Sequence, residues 1–224
     1  MAGSHIVIAG LGGLGSAAAL YLAYAGVGKL TLIDHDNVQL SNLNRQILYW
    51  EEDLDKNKTT SAIAKLVKIN SAATYVGINE KISAYNVNDL IEGADMVLDG
   101  LDSFSSRFIL NKACYTKQIP FIHAAVWGMQ ARLTTIIPPK TPCLECLYPK
   151  EIEEPHSTPI IGATAGLAGC LEALEAIKFI GKLGKNLLGK LFVFNFENLS
   201  VDILKIKKNK YCHVCNRRYN NADS

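Results

Sequence analysis

The chain has 224 residues, room for one large domain or two small ones. Apolar residues make up 49% and charged residues 20%, which argues against a disordered or fibrous chain, and a net charge of +2 is too small to make nucleic acid or a membrane the default partner. No uncharged apolar run reaches the length of a membrane span (the longest candidate, from Ile160 to Leu171, stops at Glu172), and no basic-then-apolar N-terminal segment marks an export signal. We expect an intact, cytoplasmic, enzyme-sized domain.

His5 to Ala9 is a short apolar run without helical spacing, closed by a glycine cluster, and predicts a buried strand. Leu14 to Ala25 predicts a helix apolar nearly all round, suited to packing on a sheet and ended by Gly26 and Gly28. Leu30 to Ile33 predicts the second strand, completing a β-α-β unit of about 30 residues. The alternation continues with a helix from Lys58 to Ile69, strands from Tyr75 to Ile78 and Met96 to Leu98, a helix from Ser103 to Gln118 and a strand from Pro120 to Val126. Arg132 to Ile137 follows so closely that it predicts an antiparallel neighbour.

Between Ile137 and Ile160 fall Pro138, Pro139, Pro142, Pro149, Pro155 and Pro159, and this density predicts a loop excursion. Beyond it Leu167, Cys170, Leu171, Leu174 and Ile177 recur at helical spacing, so one long helix is expected to about Ile180. A hairpin of strands, Leu191 to Phe196 and Val201 to Ile206, closes the pattern. The fold class is α/β: a Rossmann-like, mainly parallel sheet with helices on both faces, C-terminal antiparallel strands and a zinc-stapled tail. With no repeat or linker, residues 1–224 are expected to form a single domain. Within it 5–136 is a nucleotide-binding core, 137–160 the proline-rich loop with the first C-x-x-C, and 161–224 the helix, hairpin and second C-x-x-C.

Four of the six cysteines form the pairs Cys143/Cys146 and Cys212/Cys215. In a cytosolic chain such pairs read as metal ligands before disulfides, and together they offer the four thiolates of a closed structural Zn²⁺ site that would staple the tail to the domain. Cys114 and Cys170 read as small buried hydrophobes. The tail from Lys205 to Arg218 holds six Lys or Arg and no acid, but cations beside a formally −2 zinc–thiolate centre explain it better than nucleic acid does.

Gly10-Leu-Gly12-Gly13-Leu-Gly15 matches G-x-G-x-x-G between a predicted strand and helix. Gly10 suits the tight turn, Gly12 lets the backbone approach a phosphate, Gly15 allows close helix–strand packing, and the helix N-terminus offers free N–H groups to an anion. Asp34 ends the second strand, where a carboxylate takes a ribose hydroxyl. On this motif alone an NAD-type dinucleotide leads. Two further clusters face the same crevice: Asp36 to Gln46, with Asn42, Asn44, Arg45 and Gln46 followed by Lys58, and Asp99-Gly-Leu-Asp102-Ser103 after the fourth strand. So many cations suit a triphosphate under attack, and a carboxylate beside it is a natural Mg²⁺ ligand. Any one of these residues alone is more often a solvated loop charge; together, at successive strand ends, they favour a nucleotide-triphosphate site.

Taken together, the glycine loop, Asp34-His-Asp36, Ser41-Asn-Leu-Asn-Arg-Gln46, the paired C-x-x-C motifs and Leu171 to Lys178 resemble the ThiF/MoeB/HesA family of ubiquitin-activating-enzyme-like adenylyltransferases, from about residue 5 to 216. The resemblance implies ATP at the glycine loop, attacked at its α-phosphate by the C-terminal Gly-Gly carboxylate of a ubiquitin-like sulfur-carrier protein, giving an acyl-adenylate and pyrophosphate. It implies Gly13 near the phosphates, Asp34 on the ribose, Asn42, Arg45 and Lys58 on the phosphates and Asp102 on Mg²⁺, with Asp36 and Ser103 also at the nucleotide. Arg45, Lys58 and Asp102 take the catalytic roles. No general base is required, because the attacking carboxylate is already ionised, so His35, His123 and His156 read as surface or core residues. A homodimer and a separate persulfide sulfur donor are further implications.

Three departures stand out. Tyr148 to Ile161 lacks the cysteine that some members use for thioester or persulfide transfer, so the enzyme is expected to stop at the adenylate. The chain starts at its first strand, without the arginine-bearing N-terminal helix of the family. Ser103 replaces the usual asparagine after the Mg²⁺-binding aspartate, while Arg107 keeps its place. The other readings are an NAD(P)-dependent oxidoreductase and a nucleotide-binding module that has lost catalysis.

Overall fold

The computed structural model describes residues 1–148 and 160–216; Pro149, Pro155, His156, Pro159, Arg217 and Arg218 lie outside them. The elements in chain order are β1 (His5–Ala9), α1 (Gly13–Tyr24), β2 (Lys29–Ile33), α2 (Lys58–Ile69), β3 (Thr74–Ile78), α3 (Val87–Leu90), β4 (Met96–Asp99), α4 (Phe104–Thr116), β5 (Phe121–Trp127), β6 (Gln130–Ile136), α5 (Leu144–Leu147), α6 (Gly162–Gly181), β7 (Lys190–Asn195) and β8 (Ser200–Lys205). Each predicted strand and long helix is present, with ends within a residue or two of expectation. The two short helices were not anticipated, since a single turn is too brief to show a period. α5 interrupts the segment expected to be loop throughout, in a proline-free stretch that starts at Cys143.

One eight-stranded sheet runs β3-β2-β1-β4-β5-β6-β7-β8. The first five strands pair in parallel and the last three antiparallel. This is the mixed α/β, Rossmann-like arrangement read from the sequence. The apolar runs of β1 and β4 have helices on both faces: one core cluster gathers Ile6, Ile8, Leu22, Leu30 and Leu98 against α1, α2 and α6, and the other gathers Val7, Val97, Leu110 and Phe121 against α3, α4 and α5. At roughly 1.5–3 kcal/mol for each large apolar side chain, this double burial is what holds the parallel strands in register.

The order places β1 between β2 and β4, so the chain leaves the sheet in opposite directions on either side of the β1/β4 seam. At such a switch point the carboxyl ends of the strands open a crevice, and that is where ligands bind in open α/β sheets. Here the loops after β1 and β4 line it.

Candidate nucleotide crevice and four-cysteine cluster

The glycine loop follows β1 and meets the loop after β4 backbone to backbone. Gly10 has φ +90°, and a Cβ there would stand 2.5 Å from the Gly100 carbonyl oxygen. A Cβ on Gly15 would stand 1.9 Å from the Gly10 oxygen, so α1 can start this close to the strand only without one. No side chain caps α1 at Gly12, which leaves its first N–H groups and the positive end of the helix dipole facing the crevice.

The polar run after β2 closes in from the side. The Arg45 carbonyl lies 3.3 Å from where a Gly13 Cβ would be, and the Asn44 carbonyl 2.3 Å from that of Gly162. Residues 44 and 45 are thus wedged between the N-termini of α1 and α6. The guanidinium is held by the Ser41 carbonyl (2.8 Å) and Asn44 Oδ1 (2.9 Å). Gln46, quoted in the sequence run but given no role there, lies beside Gly12; it is only 3% exposed, and its Oε1 has no partner among the described residues. Asn42 turns inward on its own segment, its Oδ1 accepting from the Gln39 N–H at 3.2 Å.

Several charges are already engaged with one another. Asp34 accepts from the Leu11 N–H (2.7 Å) and the Asp36 N–H (2.9 Å), fixing the glycine loop to the end of β2. Lys58 opens α2 and is 4% exposed, with its Nζ 2.8 Å from Asp36 and 3.9 Å from Asp34. Partial burial would raise the Asp36 carboxyl, but the bond and charge of Lys58 outweigh it and hold it below the usual range. Across the seam Asp102 is exposed at the tip of the loop after β4. Ser103 caps α4, its Oγ accepting from the Ser106 N–H at 3.3 Å.

Beneath that loop is a polar cluster that sequence reasoning missed. Asp99 and His123 are register partners on β4 and β5, both wholly buried, with Nδ1 to Oδ2 at 2.6 Å. Arg107 of α4 lies 3.4 Å from the same Oδ2, and Glu172 of α6 accepts from the Asp99 N–H at 2.7 Å. His123 is a core residue, as the sequence allowed, but a tied one.

The cysteine pairs meet. Cys143 Sγ lies 3.4 Å from Cys212 Sγ, Cys146 Sγ lies 3.2 Å from Cys215 Sγ, and all four sulfurs lie within 4.8 Å of one another. These separations are well beyond a disulfide bond and close to the roughly 3.8 Å edge of a tetrahedron with Zn–S near 2.3 Å. Backbone N–H groups of Asn209 and Cys215 point at Cys146 and Cys212 sulfur, at 3.3 and 3.4 Å. The donor set and its spacing could hold zinc. α4 carries both halves of the knuckle: Asn111 Oδ1 accepts from the Leu144 N–H (2.9 Å), and the Tyr115 hydroxyl donates to the Cys215 carbonyl (3.3 Å). Cys114 is buried as expected; Cys170 is only half-buried.

A sequence profile of the ThiF family matches residues 1–214. The chain belongs to the ThiF family. Over 211 residues it is 37% identical to "Protein HesA" of Nostoc sp., covering 94% of this chain and 84% of that one. Over 217 residues it is 36% identical to the "Sulfur carrier protein ThiS adenylyltransferase" of Escherichia coli, covering 95% and 86%. Its fold is similar to that of E. coli MccB solved with ATP, with a TM-score of 0.87, 28% identity, and coverage of 96% of this chain and 67% of that one. The chain is an enzyme of the class its relative's name states, adenylyltransferase, which is the class read from the sequence. Among the described residues no helix is long and apolar enough to cross a membrane.

Proposed function

We propose that this ThiF-family protein adenylates the C-terminal Gly-Gly carboxylate of a ubiquitin-like sulfur-carrier protein, consuming ATP and releasing pyrophosphate. The observation that supports this most directly is the wedge of Asn44 and Arg45 between the glycine-started helices α1 and α6, which packs the backbone and the side-chain stem of an arginine against an uncapped helix N-terminus at the switch point. In this reading Gly10, Gly12, Gly13 and Gly15 let the backbone N–H groups cradle the phosphates, and Asp34 and Asp36 face the ribose side. Asn42 and Ser103 border the site. A carboxylate attacking a polyanion is opposed by like charge, so the barrier falls when cations sit where charge develops on the departing pyrophosphate. Arg45 supplies one such cation. Lys58 supplies a second by exchanging its present contacts with Asp36 and Asp34 for phosphate oxygens. Asp102 would hold Mg²⁺, which when bound supplies further neutralisation of the phosphates. The attacking acid needs no base, because it is ionised at neutral pH.

The four cysteines hold a structural Zn²⁺ in this reading, since four thiolates leave no position open for substrate. With no cysteine between Tyr148 and Ile161, the reaction stops at the adenylate and a separate persulfide-bearing protein supplies sulfur. The working state is a homodimer in the cytoplasm, where unpaired thiols persist as metal ligands.

Pyrophosphate–ATP exchange with E. coli ThiS and other Gly-Gly-ended carriers tests the proposal. Carrier-dependent exchange is expected. ATP binding without exchange at any carrier concentration would leave a nucleotide-binding module, and thermal stabilisation by NAD but not Mg-ATP would leave an oxidoreductase.

A further inference from the structure

We propose that His123 is a positioning residue: through Asp99 and Arg107 it fixes the Gly100–Asp102 turn that presents Asp102 to the metal and phosphates. This rests on the adenylation reading above.

The turn is tied at Leu101 from both sides. Its N–H donates to Asp99 Oδ1 at 3.1 Å, and its carbonyl accepts from Arg107 Nη2. Arg107 also lies against Asp99 Oδ2, so one carboxylate and one guanidinium clamp the residue next to Asp102. Asp102 itself is exposed and follows this clamped residue directly, with the Ser103 cap of α4 on its other side. What aims the Asp99 carboxylate is His123. Its Nδ1 meets Oδ2 at 2.6 Å across the β4/β5 register, and its Nε2 faces the Tyr148 hydroxyl at 3.4 Å.

The charges agree with this arrangement. The groups facing Asp99 are Arg107 and Cys114 from α4, His123 from β5 and Glu172 from α6, and Arg132 of β6 acts on His123. Burial pulls the His123 imidazole down against the pull of Asp99, so the ring is neutral, donating from Nδ1 and accepting at Nε2. Burial and the Asp99 charge push the Glu172 carboxyl up as well, towards its protonated form. Asp99 and Arg107 face each other at 3.4 Å in a contact that makes no hydrogen bond, and Arg107 Nε has no partner among the described residues, so the bonds that aim the carboxylate come from its other neighbours. The 2.6 Å bond from His123 is one of these.

The test measures ATP affinity by titration calorimetry, with and without Mg²⁺, in the full-length wild type, His123→Ala, His123→Asn and His123→Gln. Asparagine can place an amide N–H where Nδ1 now sits; glutamine places its amide near Nε2 instead. The gain in ATP affinity on adding Mg²⁺ is expected to fall about tenfold in the alanine and glutamine variants and to return to within about twofold of wild type in the asparagine variant. Metal-free affinity should stay within about twofold throughout. The asparagine and glutamine variants carry the test if the alanine variant does not fold. An unchanged Mg²⁺ gain in His123→Gln, or equal losses with and without metal, would overturn the positioning role. Rescue by glutamine but not asparagine would also overturn it. A wild type that binds ATP with no Mg²⁺ gain would instead remove Asp102 from the metal, and this inference with it.

Discussion

The crevice and the cysteine knuckle lie in one chain and hold charge by opposite means. In the crevice each charged group has a partner within the protein: Asp34 the Leu11 N–H, Lys58 the Asp36 carboxylate, Arg45 the Ser41 carbonyl. Each can exchange its partner for a phosphate or a ribose hydroxyl at modest net cost, because one hydrogen bond replaces another. In the knuckle the four sulfurs lie against one another and accept from two backbone N–H groups, so the set is complete with one metal ion and poor without it. The first arrangement suits a ligand that turns over, the second a ligand that is part of the fold.

Breaking the knuckle should have the largest effect. Structural zinc contributes on the order of 10–16 kcal/mol in small metal-ordered peptides. Stripping the metal with a strong chelator, or replacing Cys212 with Ser, should free the segment after β8, which the four sulfurs fasten to the first C-x-x-C pair. Limited proteolysis followed by mass spectrometry should show new cleavage between Lys205 and Tyr211. Stoichiometric zinc in the purified protein should disappear in parallel. If the variant keeps wild-type protease resistance, the metal is not what orders the tail.

In the crevice, single substitutions should leave the fold intact and stop the chemistry. Arg45→Ala and Asp102→Ala are each expected to lower carrier-dependent pyrophosphate exchange at least about 100-fold, roughly 2.7 kcal/mol of barrier. The melting temperature of Asp102→Ala should stay near wild type, because its side chain is exposed. Near-normal exchange in both variants would mean that the reacting phosphates lie elsewhere. A matching fall in thermal stability would mean that Arg45 serves mainly as the wedge between α1 and α6.

The two regions also differ in how legible they were. The glycine loop, Asp34 and the cysteine pairs are local patterns whose chemistry depends on spacing of a few residues, and the first and last of these come together as the sequence implies. The cluster under Asp102 has no such pattern. Asp99 and His123 are 24 residues apart and meet only through the β4/β5 register, while Glu172 arrives from 73 residues away on α6. An isolated histidine in an apolar strand carries no sign of the carboxylate opposite it. Nor could the sequence show that Lys58 is held between Asp36 and Asp34, which depends on how α2 returns to the end of β2. Helix α5 was lost for a different reason: four residues are less than two turns, and prolines crowd either side.

The last expected effect bears on the buried carboxyl beneath the crevice. Glu172 is wholly buried, and one of its oxygens has no partner among the described residues. Burial, then the charge of Asp99, pushes its carboxyl well above its ordinary value of 4.5. Below that value both folded and unfolded chains keep the proton, so pH has no hold on this group. Above it the unfolded chain gives the proton up while the folded chain retains it, and the unfolded state is favoured by about 1.4 kcal/mol for each further pH unit until the folded value is passed. Glu172→Gln removes that term, because the neutral amide has nearly the same shape and can accept from the Asp99 N–H in the same way. Urea unfolding should therefore give equal stabilities near about pH 4 and an advantage for Glu172→Gln that grows as the pH rises above the ordinary carboxyl value. A difference that stays flat, or one that favours glutamate at high pH, would mean that Glu172 is ionised in the folded protein. The floor of the crevice would then carry a negative charge directly beneath the phosphates, and the contrast with the metal-balanced knuckle would fail at its most buried point.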